Sequence, residues 1–201
     1  MEITVQDIKK LRDRTNVGLM DCKKALKEAD GDMDKAVDIL RTKGIAKAEK
    51  KAEREASEGI IYSYIHPGAK LGVLLELSCE TDFVARNDKF EELAKKIAMH
   101  IAATDPLALS EDDLDEEIIK KEKRIYQEQA EAAGKPEKII DKIVDGRLNK
   151  FYEENCLLKQ PLVMNEDIKV EQLINDAVMS FGENIYINRY TRYKIGEQSA
   201  E

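Results

Sequence analysis

Histidine and cysteine are scarce in this sequence, whose 201 residues include two histidines and three cysteines. Cys22, Cys79 and Cys156 lie far apart, and no Cys-x-x-Cys pair occurs. Zinc sites usually combine closely spaced cysteines with histidines, so we expect this chain to hold no metal ion. Cys22 and Cys79 lie in apolar patterns, which predicts reduced cysteines in a core. The odd count leaves an intermolecular disulfide open, although a reducing compartment disfavours it.

Long apolar runs are absent as well. No stretch approaches the roughly 18 apolar residues that a membrane-spanning helix needs. The first residues include Glu2 and Asp7 and have no apolar core of the kind found in secretion signals. We therefore expect a cytoplasmic protein that does not act at a membrane.

Catalytic and nucleotide-binding motifs are also missing. Neither a Gly-x-x-x-x-Gly-Lys-Ser/Thr loop nor a Gly-x-Gly-x-x-Gly fingerprint occurs. No serine or cysteine nucleophile has a patterned base nearby, and neither His66 nor His100 has an apparent partner for acid–base chemistry. The sequence therefore predicts a protein that acts by binding, without catalytic residues and without a cofactor, and not an enzyme.

Charge is abundant and unevenly distributed. Charged residues make up 37% of the chain, against about 25% in average proteins. This excess is typical of thermophilic proteins and also of long exposed helices. Residues 1–56 hold 14 Lys and Arg against 12 Asp and Glu, while the whole chain carries a net charge of −8. An acidic main body disfavours a direct nucleic acid partner, because phosphate binding needs clustered positive charge.

Residues 1–55 are predicted to form a compact module of three short helices. Thr4 can cap the first helix, with Asp7 as its box-like partner three residues later. Asp32 can cap the third helix, and Gly44 is expected to end it. Three short helices with glycine-containing turns resemble the ubiquitin-associated fold, a small docking domain.

A stretch rich in lysine and alanine closes this module. It contains Lys43, Lys47, Lys50, Lys51 and Arg54, interleaved with alanines. High helix propensity combined with low apolar content favours a solvated linker helix. A contact for an acidic partner is the alternative.

Residues 56–201 are predicted to form an α+β core domain, in which a small antiparallel sheet packs with helices. The predicted strands cover residues 60–65, 71–79 and 185–195, and the predicted helices cover residues 87–103 and 170–181. His66 lies in a turn and is expected to be solvated. Pro161 favours an edge or a loop, and Val163 and Met164 are predicted to be core residues.

A helical hairpin is predicted at about residues 114–151 and is expected to protrude. Gly134 fits the end of its first helix and Pro136 the start of its second. A projecting hairpin leaves apolar surface that needs a partner, and a second copy of the chain would serve.

The stretch from Thr81 to Asn87 joins a predicted strand to a predicted helix. On spacing alone, Phe83 would fill the local core, and Asp82 or Asn87 would cap the helix. A corner of this kind normally carries turn residues and small polar groups, so a bulky aromatic beside an acid is unusual there.

The wording Thr-Asp-Phe-Val-Ala-Arg-Asn over residues 81–87 resembles the signature of the elongation factor Ts family, the nucleotide exchange factors of elongation factor Tu. Other stretches resemble the family in the same order, namely residues 14–26, 97–103, 134–136, 160–164 and 182–185. Two departures stand out. The family often reads Thr-Gly-Ala-Gly-Met-Met where this chain reads residues 15–20, and phenylalanine is common where Leu162 stands.

The resemblance implies a function and a set of contacts. Such a factor binds elongation factor Tu carrying GDP, displaces the bound magnesium and promotes GDP release so that GTP can bind. Asp82 and Phe83 would insert near that magnesium, with Thr81 and Val84 holding the tip in shape. The implied further contacts with the partner are Lys23, His100, Val163 and Met164.

Chain length carries a further implication of the resemblance. Long family members hold two related copies of the core half, and this chain has room for one. We therefore expect a homodimer, or a two-to-two complex with the partner. The rival interpretation is a binding adaptor, in which the three-helix module grips a peptide or a ubiquitin-like surface and the core domain only dimerises.

Overall fold

The computed structural model describes residues 3–15 and 17–197, so Asn16 of the family-like stretch lies outside the described residues. The chain forms two compact units, one of Met1–Met99 with Glu171–Glu201 and one of His100–Val170. The boundary predicted near residue 56 remains a prediction. The helices are α1 (Val5–Thr15), α2 (Leu19–Glu28), α3 (Met33–Lys51), α4 (Asp82–Ala85), α5 (Asp88–Thr104), α6 (Glu116–Ala132), α7 (Glu137–Asn155) and α8 (Val170–Phe181). The strands are β1 (Glu58–Ile65), β2 (Leu71–Cys79), β3 (Pro161–Leu162), β4 (Asn165–Lys169) and β5 (Tyr186–Lys194).

The three predicted N-terminal helices are confirmed, together with two of their caps. The Thr4 hydroxyl donates to Asp7 Oδ2 at 2.6 Å, and the Asp7 N–H donates back to Thr4 Oγ1 at 3.2 Å. Asp32 Oδ1 accepts from the N–H groups of Asp34 and Lys35. The helices enclose a small core of Leu11, Val17, Cys22, Ala25, Leu26, Ala36 and Leu40.

The predicted end of α3 at Gly44 is wrong, because the helix continues to Lys51. Gly44 is buried, and a Cβ atom added there would lie 2.9 Å from the Met179 sulfur of α8. A glycine at this position therefore allows α3 and α8 to approach closely, and it does not serve as a helix terminator.

The lysine-rich stretch is the second half of α3 and is not a free linker. Lys43 pairs with Glu28, and Lys47 Nζ lies 2.9 Å from Asp21 Oδ2. Lys51 donates to the carbonyl oxygen of Gly182. The predicted helix is confirmed and stays solvated at Lys43 and Lys50, but it is the continuation of α3 and not a separate linker.

The predicted antiparallel sheet is confirmed, with the strand order β1-β2-β5. Val73, Leu75 and Leu77 of β2 are buried, whereas the alternate residue Leu74 is exposed. This alternation follows from the two-residue period of a strand, which sends neighbouring side chains to opposite faces. The sheet therefore has one core face and one open face.

The two helices predicted beside the sheet, α5 and α8, also match their predictions. The stripe of α5 predicted to be core is buried at Phe90, Leu93, Ala94, Ile97, Ala98 and Ile101. The ring of Phe90 meets that of Phe181 from α8 at a centroid distance of 6.0 Å and an interplanar angle of 85°. Edge-to-face packing of this kind is favoured between aromatic rings.

The second unit holds the helical hairpin and a small sheet that the sequence did not predict. α6 and α7 confirm the hairpin, and Gly134 between them adopts a positive φ of 66°. Strands β3 and β4 pair antiparallel, and the turn between them consists of Val163 and Met164. This sheet is too short to give a periodic pattern in the sequence.

The three cysteines are free and buried, as predicted for Cys22 and Cys79. Burial, with the nearby Glu183 carboxylate, raises the pKa of Cys79 to about 11. Burial, with Glu111, likewise raises the pKa of Cys156 to about 11. Among the described residues, no cluster of His, Cys, Asp or Glu is arranged to hold a metal ion. None of the described helices combines the length and the apolar character that crossing a bilayer requires.

Candidate functional site

The short helix α4 presents an aromatic side chain to solvent. Phe83 is 84% exposed, while its neighbour Val84 is 9% exposed and is part of the core. The interpretation that Phe83 fills the local core is therefore wrong, since Val84 takes that place. α4 packs on β1 and β2, so the exposed ring stands on a helix backed by the sheet.

The backbone before α4 is fixed by the carboxylate of Glu183. Glu183 Oε2 accepts from the N–H of Glu80 at 3.1 Å and from the N–H of Thr81 at 3.0 Å. Its Oε1 accepts from the Thr81 hydroxyl at 2.6 Å. Thr81 occupies the N-cap position of α4 and makes no side-chain cap bond, while its hydroxyl donates to Glu183.

A second carboxylate, that of Glu80, contacts the turn after α8. Glu80 Oε1 accepts from the N–H of Asn184 at 2.6 Å and lies 3.5 Å from Arg54 Nη1. The Asn184 side chain donates to the carbonyl oxygen of Arg54 at 2.8 Å. The turn after α8 thus joins the base of the tip to the segment that follows α3.

Polar side chains also define the two ends of the tip. Asp82 Oδ2 lies 3.2 Å from Arg86 Nη2, one helical turn away. Asn87 Oδ1 accepts from the N–H of Lys89 at 2.9 Å, so Asn87 caps α5, as one sequence interpretation predicted. The candidate tip residues Thr81, Asp82, Phe83 and Val84 therefore form one compact corner, with Phe83 as its exposed apex.

A second candidate surface lies on α2. Lys23 is exposed and stands on the same helix as the exposed apolar residues Leu19 and Met20. Positions three and four residues apart lie on one side of a helix, which brings Lys23 next to both. This surface combines one positive charge with apolar area.

His100 lies inside the second unit, where it is fully buried. Its Nδ1 atom is 3.2 Å from the N–H of Val163 and accepts from it. The proton must then be on Nε2, which lies 2.9 Å from Gln160 Oε1 and donates to it. Burial lowers the pKa of His100, so the neutral ring is favoured. In this arrangement the His100 ring has no exposed surface, and it supports the backbone of Val163.

Val163 and Met164 are exposed, and the prediction that they are core residues is wrong. They are 51% and 46% exposed, whereas Leu162 is buried. A two-residue turn between paired strands directs its side chains away from the chain that it reverses. The exposed pair therefore forms a third candidate surface, which His100 supports through its hydrogen bond with the N–H of Val163.

Comparison with known proteins gives consistent matches. A family model described as Elongation factor TS matches residues 45–197. A protein named Elongation factor Ts from Thermosipho melanesiensis is 53% identical over 195 residues, which cover 97% of this chain and 100% of the relative. One from Thermodesulfovibrio yellowstonii is 53% identical over 201 residues, 100% of each chain. One from Desulfotalea psychrophila is 54% identical over 196 residues, 98% of this chain and 100% of its own.

These matches cover all three candidate surfaces and define the class of protein, a translation elongation factor that serves protein biosynthesis. The chain belongs to the elongation factor Ts family.

Proposed function

We propose that this chain is the guanine nucleotide exchange factor of elongation factor Tu in the cytoplasm. It binds elongation factor Tu carrying GDP, and the tip of α4 reaches the magnesium site of that partner. Asp82 and Phe83 displace the magnesium, with Thr81 and Val84 as the fixed base. GDP then leaves and GTP can bind. This chain acts by binding, and it makes or breaks no covalent bond.

The observation that carries this proposal is the exposure of Phe83 on a fixed support. A large apolar side chain that is 84% exposed is unfavourable in water, and it gains free energy when a partner covers it. The Glu183 contacts hold the backbone at Thr81 before any partner arrives. A preorganised tip loses little entropy on insertion, so more of its binding energy can act on the partner.

One phenylalanine is not sufficient for this task. A nucleotide bound at about 1 nM is held by roughly 12 kcal/mol. Weakening that binding ten-thousandfold needs about 5.5 kcal/mol of differential affinity, and burying a phenylalanine supplies about 1.5–3 kcal/mol. The surfaces at Lys23 and at Val163 with Met164 supply further contacts, which must be better with the nucleotide-free partner. By reciprocity, GDP weakens the binding of this chain by the same factor.

A stopped-flow measurement tests the proposal. Elongation factor Tu loaded with fluorescent GDP is mixed with excess unlabelled GDP, with and without the full chain. We expect the chain to raise the rate of GDP release by at least a hundredfold. An unchanged rate, together with tight binding to some other peptide or ubiquitin-like surface, would favour the adaptor interpretation.

We also propose that the chain forms a homodimer through the open face of the β1-β2-β5 sheet. Five large apolar side chains are exposed on or beside this face, namely Ile61, Ile65, Leu74, Tyr193 and Ile195. The face also carries the ion pair of Glu76 with Arg189, which lie opposite one another in the register. A surface with both charges and apolar area can pair with a copy of itself. This surface is a better candidate than the hairpin, whose Ile118 and Ile139 are less exposed.

Sedimentation equilibrium checks the homodimer. We expect twice the mass of one chain at micromolar concentration, and a several-fold weaker dimer for Leu74→Glu, since this change places a carboxylate in the apolar face. A monomer with full exchange activity would contradict the proposal.

A further inference from the structure

We propose that Glu183, which follows α8, is the positioning residue of the exchange tip, acting through Thr81 to set the position of Phe83. This inference rests on the proposed function for its kinetic consequences. The structural part of the inference, that Glu183 fixes the backbone of residues 80–85, does not depend on that function.

The Glu183 side chain makes several contacts with the segment that enters α4. The Glu183 carboxylate accepts three hydrogen bonds, from two consecutive backbone N–H groups and from the Thr81 hydroxyl, at 2.6 to 3.1 Å. Hydrogen bonds to a carboxylate are stronger than those between neutral groups. Two neighbouring N–H groups held by one oxygen fix the direction in which the chain enters α4.

Helix α4 is short and has four residues. A helix of one turn is unstable alone, because ordering its residues is not repaid by one or two internal hydrogen bonds. Thr81 makes no side-chain cap bond, and its hydroxyl donates to Glu183. The direction of Phe83 at the second helical position therefore depends on support from outside the helix. Val84 supplies that support from the core and Glu183 supplies it at the helix start.

Two carboxylates and two cations lie where residues 80–81 meet the turn after α8. The Glu183 carboxylate accepts from the backbone before α4, and the Glu80 carboxylate accepts from the backbone of the turn after α8. Arg54 lies 3.5 Å from Glu80, and the Lys51 ammonium donates to the neighbouring Gly182 carbonyl oxygen. These two cations come from the end of α3 and from the residues just after it, so they tie the N-terminal helices to both segments that the two carboxylates join.

The test compares Glu183→Gln with Asp113→Asn. Asp113 is a matched control, since its carboxylate also accepts from a backbone N–H and a hydroxyl, those of Ser110, but away from the tip. In Glu183→Gln the Thr81 hydroxyl must accept from the new NH₂ group instead of donating to an oxygen, and the contacts become bonds between neutral groups, which are weaker than those to a carboxylate. We expect amide hydrogen exchange at residues 80–85 to speed up tenfold or more in the free chain, with no such change there for Asp113→Asn.

The kinetic arm uses the same variants with elongation factor Tu and fluorescent GDP. We expect Glu183→Gln to lower the maximal rate of GDP release about fivefold, with little change in half-saturating concentration, because the surface at Lys23 is intact. The double variant with Phe83→Ala should be no slower than Phe83→Ala alone, since Glu183 acts through that ring.

Each failure has a distinct meaning. Unchanged hydrogen exchange at residues 80–85 would overturn the positioning role whatever the kinetics show. A full additional fivefold loss in the double variant would overturn it as well, because Glu183 would then act elsewhere. If the wild-type chain does not accelerate GDP release at all, the proposed function fails, and the hydrogen-exchange result alone decides the positioning role.

Discussion

Replacing Phe83 with alanine is expected to slow the stimulated release of GDP from elongation factor Tu at least tenfold. A tenfold loss corresponds to about 1.4 kcal/mol, which is within the contribution expected from burying a phenylalanine in a partner. The free chain should barely notice the change, because Phe83 is 84% exposed. Its free energy of unfolding should stay within about 0.5 kcal/mol of wild type. Stopped-flow release of fluorescent GDP and urea unfolding of the free chain measure the two quantities.

The matched control for Phe83→Ala is Leu107→Ala. Leu107 is another large apolar residue that is exposed, and it lies outside all three candidate surfaces. We expect its truncation to leave GDP release at the wild-type rate. A folded Phe83→Ala variant that still accelerates release like the wild type would remove this ring from the mechanism.

Replacing Gly59 with alanine is expected to destabilise the sheet by about 3 kcal/mol or more. Gly59 in β1 has a φ of 149°, and a Cβ atom added there would lie 2.2 Å from the carbonyl oxygen of Leu77 and 2.9 Å from the Cα of Ser78. Both atoms belong to the backbone of β2, which is paired with β1. They can move away only if the strand pairing opens, so the clash cannot be relieved by turning a side chain.

Gly146→Ala provides the control for Gly59→Ala. Gly146 lies in α7, is exposed, and would have no atom within 4 Å of an added Cβ. Alanine favours a helix over glycine, so this variant should gain about 0.5–1 kcal/mol of stability. Urea denaturation followed by circular dichroism compares both variants with wild type. Equal stability of Gly59→Ala and wild type would show that β1 and β2 can separate at no cost.

Local signals explain which parts of the fold could be predicted. The caps at Thr4 and Asp32 could be read because each partner lies within three residues. The prediction for the end of α3 was wrong for the opposite reason, because the deciding contact is distant in sequence. Gly44 resembles a helix terminator in sequence, and the reason for it, Met179, lies far along the chain.

Part of the candidate site could likewise be predicted from the sequence, and part could not. The family-like wording of residues 81–87 singled out the tip, but spacing alone placed Phe83 in the core. The hydrogen bonds from Thr81 to Glu183 could not be predicted, since Glu183 follows Thr81 by 102 positions. The one available signal was the family-like stretch 182–185, which carried no hint of its contact. Likewise, a histidine on α5 does not reveal that its ring will be buried beneath Val163.

The buried thiols offer a way to time the opening of each half of the molecule. With pKa values near 11, Cys79 and Cys156 are ionised in about one chain in ten thousand at pH 7. Alkylating reagents attack the thiolate, so the native protein should resist them until a fluctuation uncovers the sulfur. Cys79 and Cys156 fall in different compact units. Mass spectrometry of the labelled peptides would thus measure, in a single reaction, the rate at which each unit opens in the native protein.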